Sequence, residues 1–210
     1  MRVRLLFSGI VILCACALTA QPGLSQEKKP MGVKEKPAAM DEMMKKMMEI
    51  ATPGEPHKFL NDFVGSWETA TSVWMEGPSK PPTVTKGTAE VKWALGGRFL
   101  VQEAKGEMMG MPFEGMGITG YDNFNKKYVS FWVDNMGTAM YTSEGTSDQS
   151  GKVITFYGKM DEPTTGEHDK NVKYVSRIID KDKHAFEIHD LAIGEPNTKV
   201  VEITYTRKTK

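Results

Sequence analysis

Phe63-Val64-Gly65-Ser66-Trp67-Glu68 marks the point where the period of this 210-residue chain changes. Upstream, apolar residues recur at helical spacing; from Ser66 to the C-terminus they alternate with period two. Ten candidate strands follow: 66–76, 83–95, 98–109, 115–122, 127–135, 138–147, 152–160, 171–180, 184–193 and 198–208. Turn chemistry separates them, as at Gly77-Pro78, Gly96-Gly97, Gly110-Met111-Pro112, Asp122-Asn123, Lys181-Asp182 and Gly194-Glu195-Pro196-Asn197. No helical pattern intervenes, which excludes βαβ units and points to an antiparallel meander. Ten strands with short links would close on themselves and so remove the exposed edges. The expectation is all-β: a single up-and-down β-barrel of about ten strands, residues 56–210, behind a short amphipathic helix. At that size the interior has room for one small ligand.

Trp67 opens the first strand and Arg207, in Thr204-Tyr205-Thr206-Arg207, closes the last. A guanidinium over an indole would fasten the two ends, a contact worth roughly 0.5–2 kcal/mol. Alternation also divides the later strands. Val91, Trp93 and Leu95 oppose Glu90, Lys92 and Ala94; Val129, Phe131 and Val133 oppose Tyr128, Ser130, Trp132 and Asp134. Several strands are thus mixed on their second face, which fits either a covering helix or a polar-lined interior. Parity alone leaves open which side is inside.

His57-Lys58-Phe59-Leu60, Gly65-Ser66-Trp67-Glu68, Gly96-Gly97-Arg98-Phe99-Leu100, Gly120-Tyr121-Asp122, Gly145 with Asp148, and Tyr205-Thr206-Arg207-Lys208 carry a further signal. Together they resemble the secreted bacterial domain-of-unknown-function 1579 family over roughly residues 50–208. The resemblance implies a lipocalin-type (calycin) barrel and brings no established catalytic residues.

Arg2 and Arg4 precede an apolar run from Leu5 to Ala20, the pattern of a secretory signal peptide ending at 20 or at 25. A periplasmic or secreted destination follows. Leu13-Cys14-Ala15-Cys16 loosely fits a lipoprotein site, so lipid anchoring at Cys16 is the lesser alternative. Both cysteines lie in this leader, and its loss would leave a domain without thiols or disulfides. Lys plus Arg and Asp plus Glu number 27 each; removing Arg2 and Arg4 leaves 25 against 27. With no basic stripe, nucleic acid is excluded as a partner. The leader is too short for a permanent membrane span, and oligomeric state is not legible.

Residues 21–37 read as a solvated tether rich in Gln, Pro, Lys and Glu. Over 38–52, Met40, Met43, Met44, Met47 and Met48 fall on one helix face. Thioethers are soft Cu(I) ligands, but no His or Cys interleaves with them, so packing or partner contact is favoured. Covering a barrel mouth is the most economical use of such a helix. No metal is expected, and no cofactor. His184 and His189 point to opposite faces of one strand; His189 is the one haem candidate, set against the commoner hydrogen-bonded structural histidine. His57 would cap a helix or pack near Trp67.

No Gly-x-Ser-x-Gly element exists, so nucleophilic hydrolysis has no motif. Glu90, Glu103 and Asp134 lie in strands; any that faces inward needs a partner, with Arg98 or Lys105 as candidates. Strand glycines Gly87, Gly106, Gly117, Gly120 and Gly145 read as bends or bulges. Three functions remain: a binding protein for a small apolar or amphipathic ligand, an envelope interaction module docking through its methionine helix, and an enzyme using strand carboxylates, the last the least supported. For the first, Trp93, Phe99, Phe131, Trp132 and His189 are the candidate ligand-lining residues.

Overall fold

The computed structural model describes residues 38–163, 165–194 and 196–209. The leader, its cysteines and the 21–37 tether lie outside them. Helix α1 (Ala38–Ala51) is followed by a short helix α2 (Glu55–Phe59), a 3₁₀ turn (Leu60–Phe63) and ten strands. These are β1 (Gly65–Val73), β2 (Thr83–Ala94), β3 (Phe99–Met108), β4 (Met111–Asp122), β5 (Lys127–Asp134), β6 (Tyr141–Ser147), β7 (Val153–Glu162), β8 (Glu167–Asp180), β9 (Lys183–Asp190) and β10 (Lys199–Arg207). Each pairs antiparallel with its sequence neighbour, and β1 pairs β10, so the sheet is a closed barrel.

The ten expected strands are all present, with shifted ends. β4 begins at Met111 because Met109 (φ 51°) and Gly110 (φ 76°) alone make the turn, leaving Met111 and Pro112 in the strand. Two consecutive positive φ values are the two-residue hairpin that matches strand twist. Gly117 holds no bulge: it is the floor beneath Trp132, whose ring lies 2.9 Å from where a Cβ would stand.

Register settles which face is inside. Trp67 lies opposite both Ala89 and Arg207, and this face continues through Val91, Leu100, Tyr128, Phe156, Tyr174 and Tyr205, all buried. The barrel has two unlike ends. At the end where β1 starts, α2 and the 3₁₀ turn form a plug. Leu60 is fully buried against this core, and Phe59 and Phe63 pack on it. Polar bonds lock the plug: Tyr128 Oη donates to Pro56 O (2.9 Å), Trp67 Nε1 to Phe63 O (2.9 Å) and Trp93 Nε1 to Asn61 Oδ1 (3.2 Å). His57 Nδ1 accepts from Gly54 N–H at 3.0 Å while its ring meets Tyr121 edge-on, so it caps α2 and packs beneath the barrel.

The methionine helix does not cover a mouth. Its end is held at the plug, where Asn123 Nδ2 donates to Ile50 O (2.8 Å) and Thr52 O (2.7 Å). Met40, Met43, Met44, Met47 and Met48 remain 42–61% exposed. The closure expected of α1 belongs to the shorter α2 and the 3₁₀ turn.

Candidate functional site

Above the plug, the inward side chains are no longer sealed. Gln102, Thr119, Ser130, Trp132, Ser143 and Ile188 face the interior by register, yet each is only partly buried. In a closed wall, partial exposure of inward side chains is what a cup-shaped lumen, open at the end away from the plug, would give. Barrels of this strand number enclose such spaces.

Tyr205 stands below this space. It is buried, its hydroxyl accepts from Gln102 Nε2 at 3.3 Å, and burial raises its pKa to about 12, partly offset by that bond. Tyr174 stacks near Phe186 (5.9 Å between ring centres) on the wall, and Trp132 lies over Gly115 and Gly117 opposite. Trp132 Nε1 donates to Asp134 Oδ2 at 2.9 Å. Near the rim, Lys170 and Asp190 face inward beside Met160 and Val172 and pair at 2.6 Å, both largely shielded. The hydrogen bond to Asp190 holds the Lys170 ammonium above its ordinary pKa. The Tyr141 pKa is raised by burial and then by the charges of Asp134, Asp161 and Glu162. The cup thus combines aromatic walls with a charged rim, the composition of a small-molecule site.

The five residues singled out from sequence do not gather into one site. Trp93 and Trp132 face inward. Phe99 and Phe131 face outward, because Phe131 and Trp132 are adjacent on one strand and cannot share a face. They line an outer groove of about 710 Å³ with Ile118, Val129, Met140 and Tyr157. His189 is also on the outer wall, its ring nitrogens tied to Thr198 Oγ1 (3.1 Å) and Glu187 Oε2 (3.1 Å). Of the strand acids, Glu90 accepts from Ser66 and Glu103 lies 3.8 Å from Lys92, while inward Asp134 is satisfied by Trp132 and the Met136 N–H. Arg98 and Lys105 are engaged elsewhere, with Leu95 O and Glu114. No group of three or more His, Cys, Asp or Glu side chains that could hold a metal ion occurs among the described residues.

Sequence reading set His184 on the face opposite His189, as the register has it, but did not show its burial among aromatic rings. It is buried between Phe63 and Trp67 edges and stacks on Tyr205 at 4.1 Å, with neither ring nitrogen hydrogen-bonded. Burial, then the Arg207 charge, pushes its pKa down to about 3. Arg207 covers Trp67, its guanidinium carbon 4.1 Å from the ring centre, and donates to Val64 O (2.9 Å) and Lys181 O (3.0 Å).

The family model for proteins of unknown function (DUF1579) matches residues 52–207. The chain belongs to that family. The DUF1579 match spans the plug and all ten strands, and leaves α1 outside. No curated protein matches the chain. Among solved structures, the crystal structure of Rv2717c from M. tuberculosis is similar over 75% of this chain and 100% of its own, at 17% identity and a TM-score of 0.53. A redesigned β-barrel, b11L5F_LGL, matches over 73% of this chain and 96% of its own (12% identity, TM-score 0.38). EF1p2_mFAP2b bound to DFHBI matches over 73% of this chain and 100% of its own (8% identity, TM-score 0.35). The first likeness supports the barrel fold alone; the other two are too distant to carry weight.

Proposed function

We propose that this DUF1579 protein is exported and binds one small amphipathic molecule in the open half of its barrel. The carrying observation is a gradient along the inner wall: Leu60, Trp67 and Tyr128 are buried at the plug, whereas Gln102, Ser130, Trp132 and Ser143, further from it, are partly exposed. Large rings such as Trp132, Tyr141, Tyr174 and Phe186 offer an apolar body its contact area. The Lys170–Asp190 pair and Asp134 offer a polar head hydrogen bonds at the rim. The apolar run behind Arg2 and Arg4 supports export.

The test is a titration of the protein with the fluorescent apolar probe N-phenyl-1-naphthylamine. Saturable binding at one site is expected, and Ala104→Trp, which places an indole on the inner wall, should abolish it while the thermal transition persists. Phe131→Glu, on the outer wall, should leave it intact. Binding lost in Phe131→Glu and kept in Ala104→Trp would move the site to the outer groove; no saturable binding of this probe or of a fatty-acid series would overturn the carrier reading.

A further inference from the structure

Trp132 presents one face of its indole to the lumen. The other face lies on the bare backbone of β4, where a Cβ at Gly115 or Gly117 would stand 2.3 or 2.9 Å from the ring. The side chain nonetheless stays partly exposed, so the uncovered face is the one turned inward. Phe113, two residues before Gly115 on the same strand face, runs parallel to the indole, with 13° between planes and 6.5 Å between centres. Rings stacked face on stand about 3.5–4 Å apart, so Phe113 extends this surface sideways without covering it. Tyr141 lies directly across from Trp132 in the β5–β6 ladder and supplies a third ring.

A π face is negative and attracts cations. At the edge of this one stands a carboxylate: Asp134 Oδ2 accepts from Trp132 Nε1 at 2.9 Å, and Oδ1 accepts from the Met136 N–H at 3.0 Å. Both donors are neutral. They orient the carboxylate and leave its charge without an ammonium or guanidinium partner among the described residues. Lys170, the cation that faces the same lumen, is matched already by Asp190 at 2.6 Å and Glu167 at 3.4 Å. It has no charge to spare for an anionic head. Tyr141 registers the excess, since the charges of Asp134, Asp161 and Glu162 add to burial in raising its pKa.

We propose that the molecule taken up by the barrel is a cationic amphiphile, its quaternary ammonium head seated on the Trp132 face beside Asp134 and its apolar body on Tyr174 and Phe186. This rests on the reading of the barrel as a carrier and narrows it to one charge class. An ammonium gains from the ring and the carboxylate together, in a partly desolvated place where both attractions are stronger than in water. A quaternary head donates no hydrogen bonds, which suits a carboxylate whose two oxygens are already engaged. A carboxylate head of the same length meets Asp134 instead and is repelled.

The experiment is calorimetric titration of the chain with decyltrimethylammonium and with decanoate, ten-carbon amphiphiles of opposite charge, each below its micellar range. The cation should bind at one site, at least about tenfold more tightly than the anion. That ratio should shrink as NaCl rises from about 20 to 500 mM. Asp134→Asn keeps the shape of the side chain and removes its charge, and should cut the ratio several-fold. Trp132→Leu takes away the π face and should cut it too. Glu114→Gln, an outward acid beside Gly115 that pairs with Lys105, should leave it unchanged. Equal affinities, a preference for decanoate, or a ratio that survives both Asp134→Asn and Trp132→Leu would overturn the proposal. N-phenyl-1-naphthylamine, uncharged at neutral pH, separates the two readings. Saturable binding of this probe without preference for the cation overturns the present inference and leaves the carrier standing; no saturable binding of any of the three removes both.

Discussion

Arg207 lies directly across from Trp67 in the β1–β10 ladder and covers its indole at 4.1 Å, while His184 meets the same ring edge-on at 4.4 Å. A cation and a neutral imidazole thus share one aromatic, at the seam that shuts the barrel.

Arg207→Ala removes the cation–π contact and two hydrogen bonds, to Val64 O and Lys181 O. The expected loss is about 2–3 kcal/mol, a fall of roughly 4–12 °C for a domain of this size. Cup occupancy should not change, since the seam is at the plug end. Calorimetry with and without N-phenyl-1-naphthylamine checks both parts.

Gly65 has φ 141°, and a Cβ there would stand 2.3 Å from Arg207 Nη1. Gly65→Ala therefore carries backbone strain and a collision, for a cost above about 1 kcal/mol. In the Arg207→Ala background the collision disappears and only the strain remains. A double-mutant cycle in urea should show the two changes to be less than additive.

Burial keeps His184 neutral with its pKa near 3, against 6.5 for the free group. The unfolded chain then binds more protons between these values, so stability is complete above pH 6.5 and falls as pH drops toward 3. The loss from this one group is at most about 5 kcal/mol. His184→Phe keeps a ring and removes two unsatisfied nitrogens, so it should flatten the acid limb without lowering stability at pH 7. Urea midpoints across pH 4–7 give the comparison.

Leu60 is the buried anchor of the plug. Leu60→Ala should cost about 2–5 kcal/mol, and it should do so as a global effect seen in one cooperative transition. Hydrogen exchange would register it at Trp67 and Tyr128 as well as in the plug.

Asn123→Ala, by contrast, releases only the end of α1. The melting temperature should hold within about 1 °C, and cleavage within 38–52 by a broad protease should accelerate several-fold. A large fall in melting temperature would show that α1 carries more of the fold than its exposure indicates.

The strand count, order and closure were legible because period-two alternation and turn residues recur at every link. The β3–β4 turn was not: Pro112 reads as a break, yet β5 pairs only from Gly115 onward, so no ladder bond from β5 is lost there. The plug was obscure because α2 and its 3₁₀ turn are five and four residues, too short to display a helical period. Inside and outside were undetermined since β5 carries aromatics on both faces. One signal was available: Gly115 and Gly117, two apart on β4, leave the space that Trp132 occupies, and mark that face as the crowded one. The outer groove has no such mark. It comes from curvature shared by five strands, which no single stretch of sequence encodes.

The seam also governs how the chain reaches its fold. Nine of the ten ladders join sequence neighbours, and each can zip as soon as its hairpin exists. The Arg207 to Val64 bond instead spans 143 positions. Until Lys199–Arg207 is free to pair, β1 and β10 are bare edges of an open sheet, the state most prone to edge-to-edge aggregation. The rate at which the last strand docks, set by that long loop closure, therefore decides how long the protein is at risk, and a bulky C-terminal fusion lengthens the exposure without touching a single contact in the finished barrel.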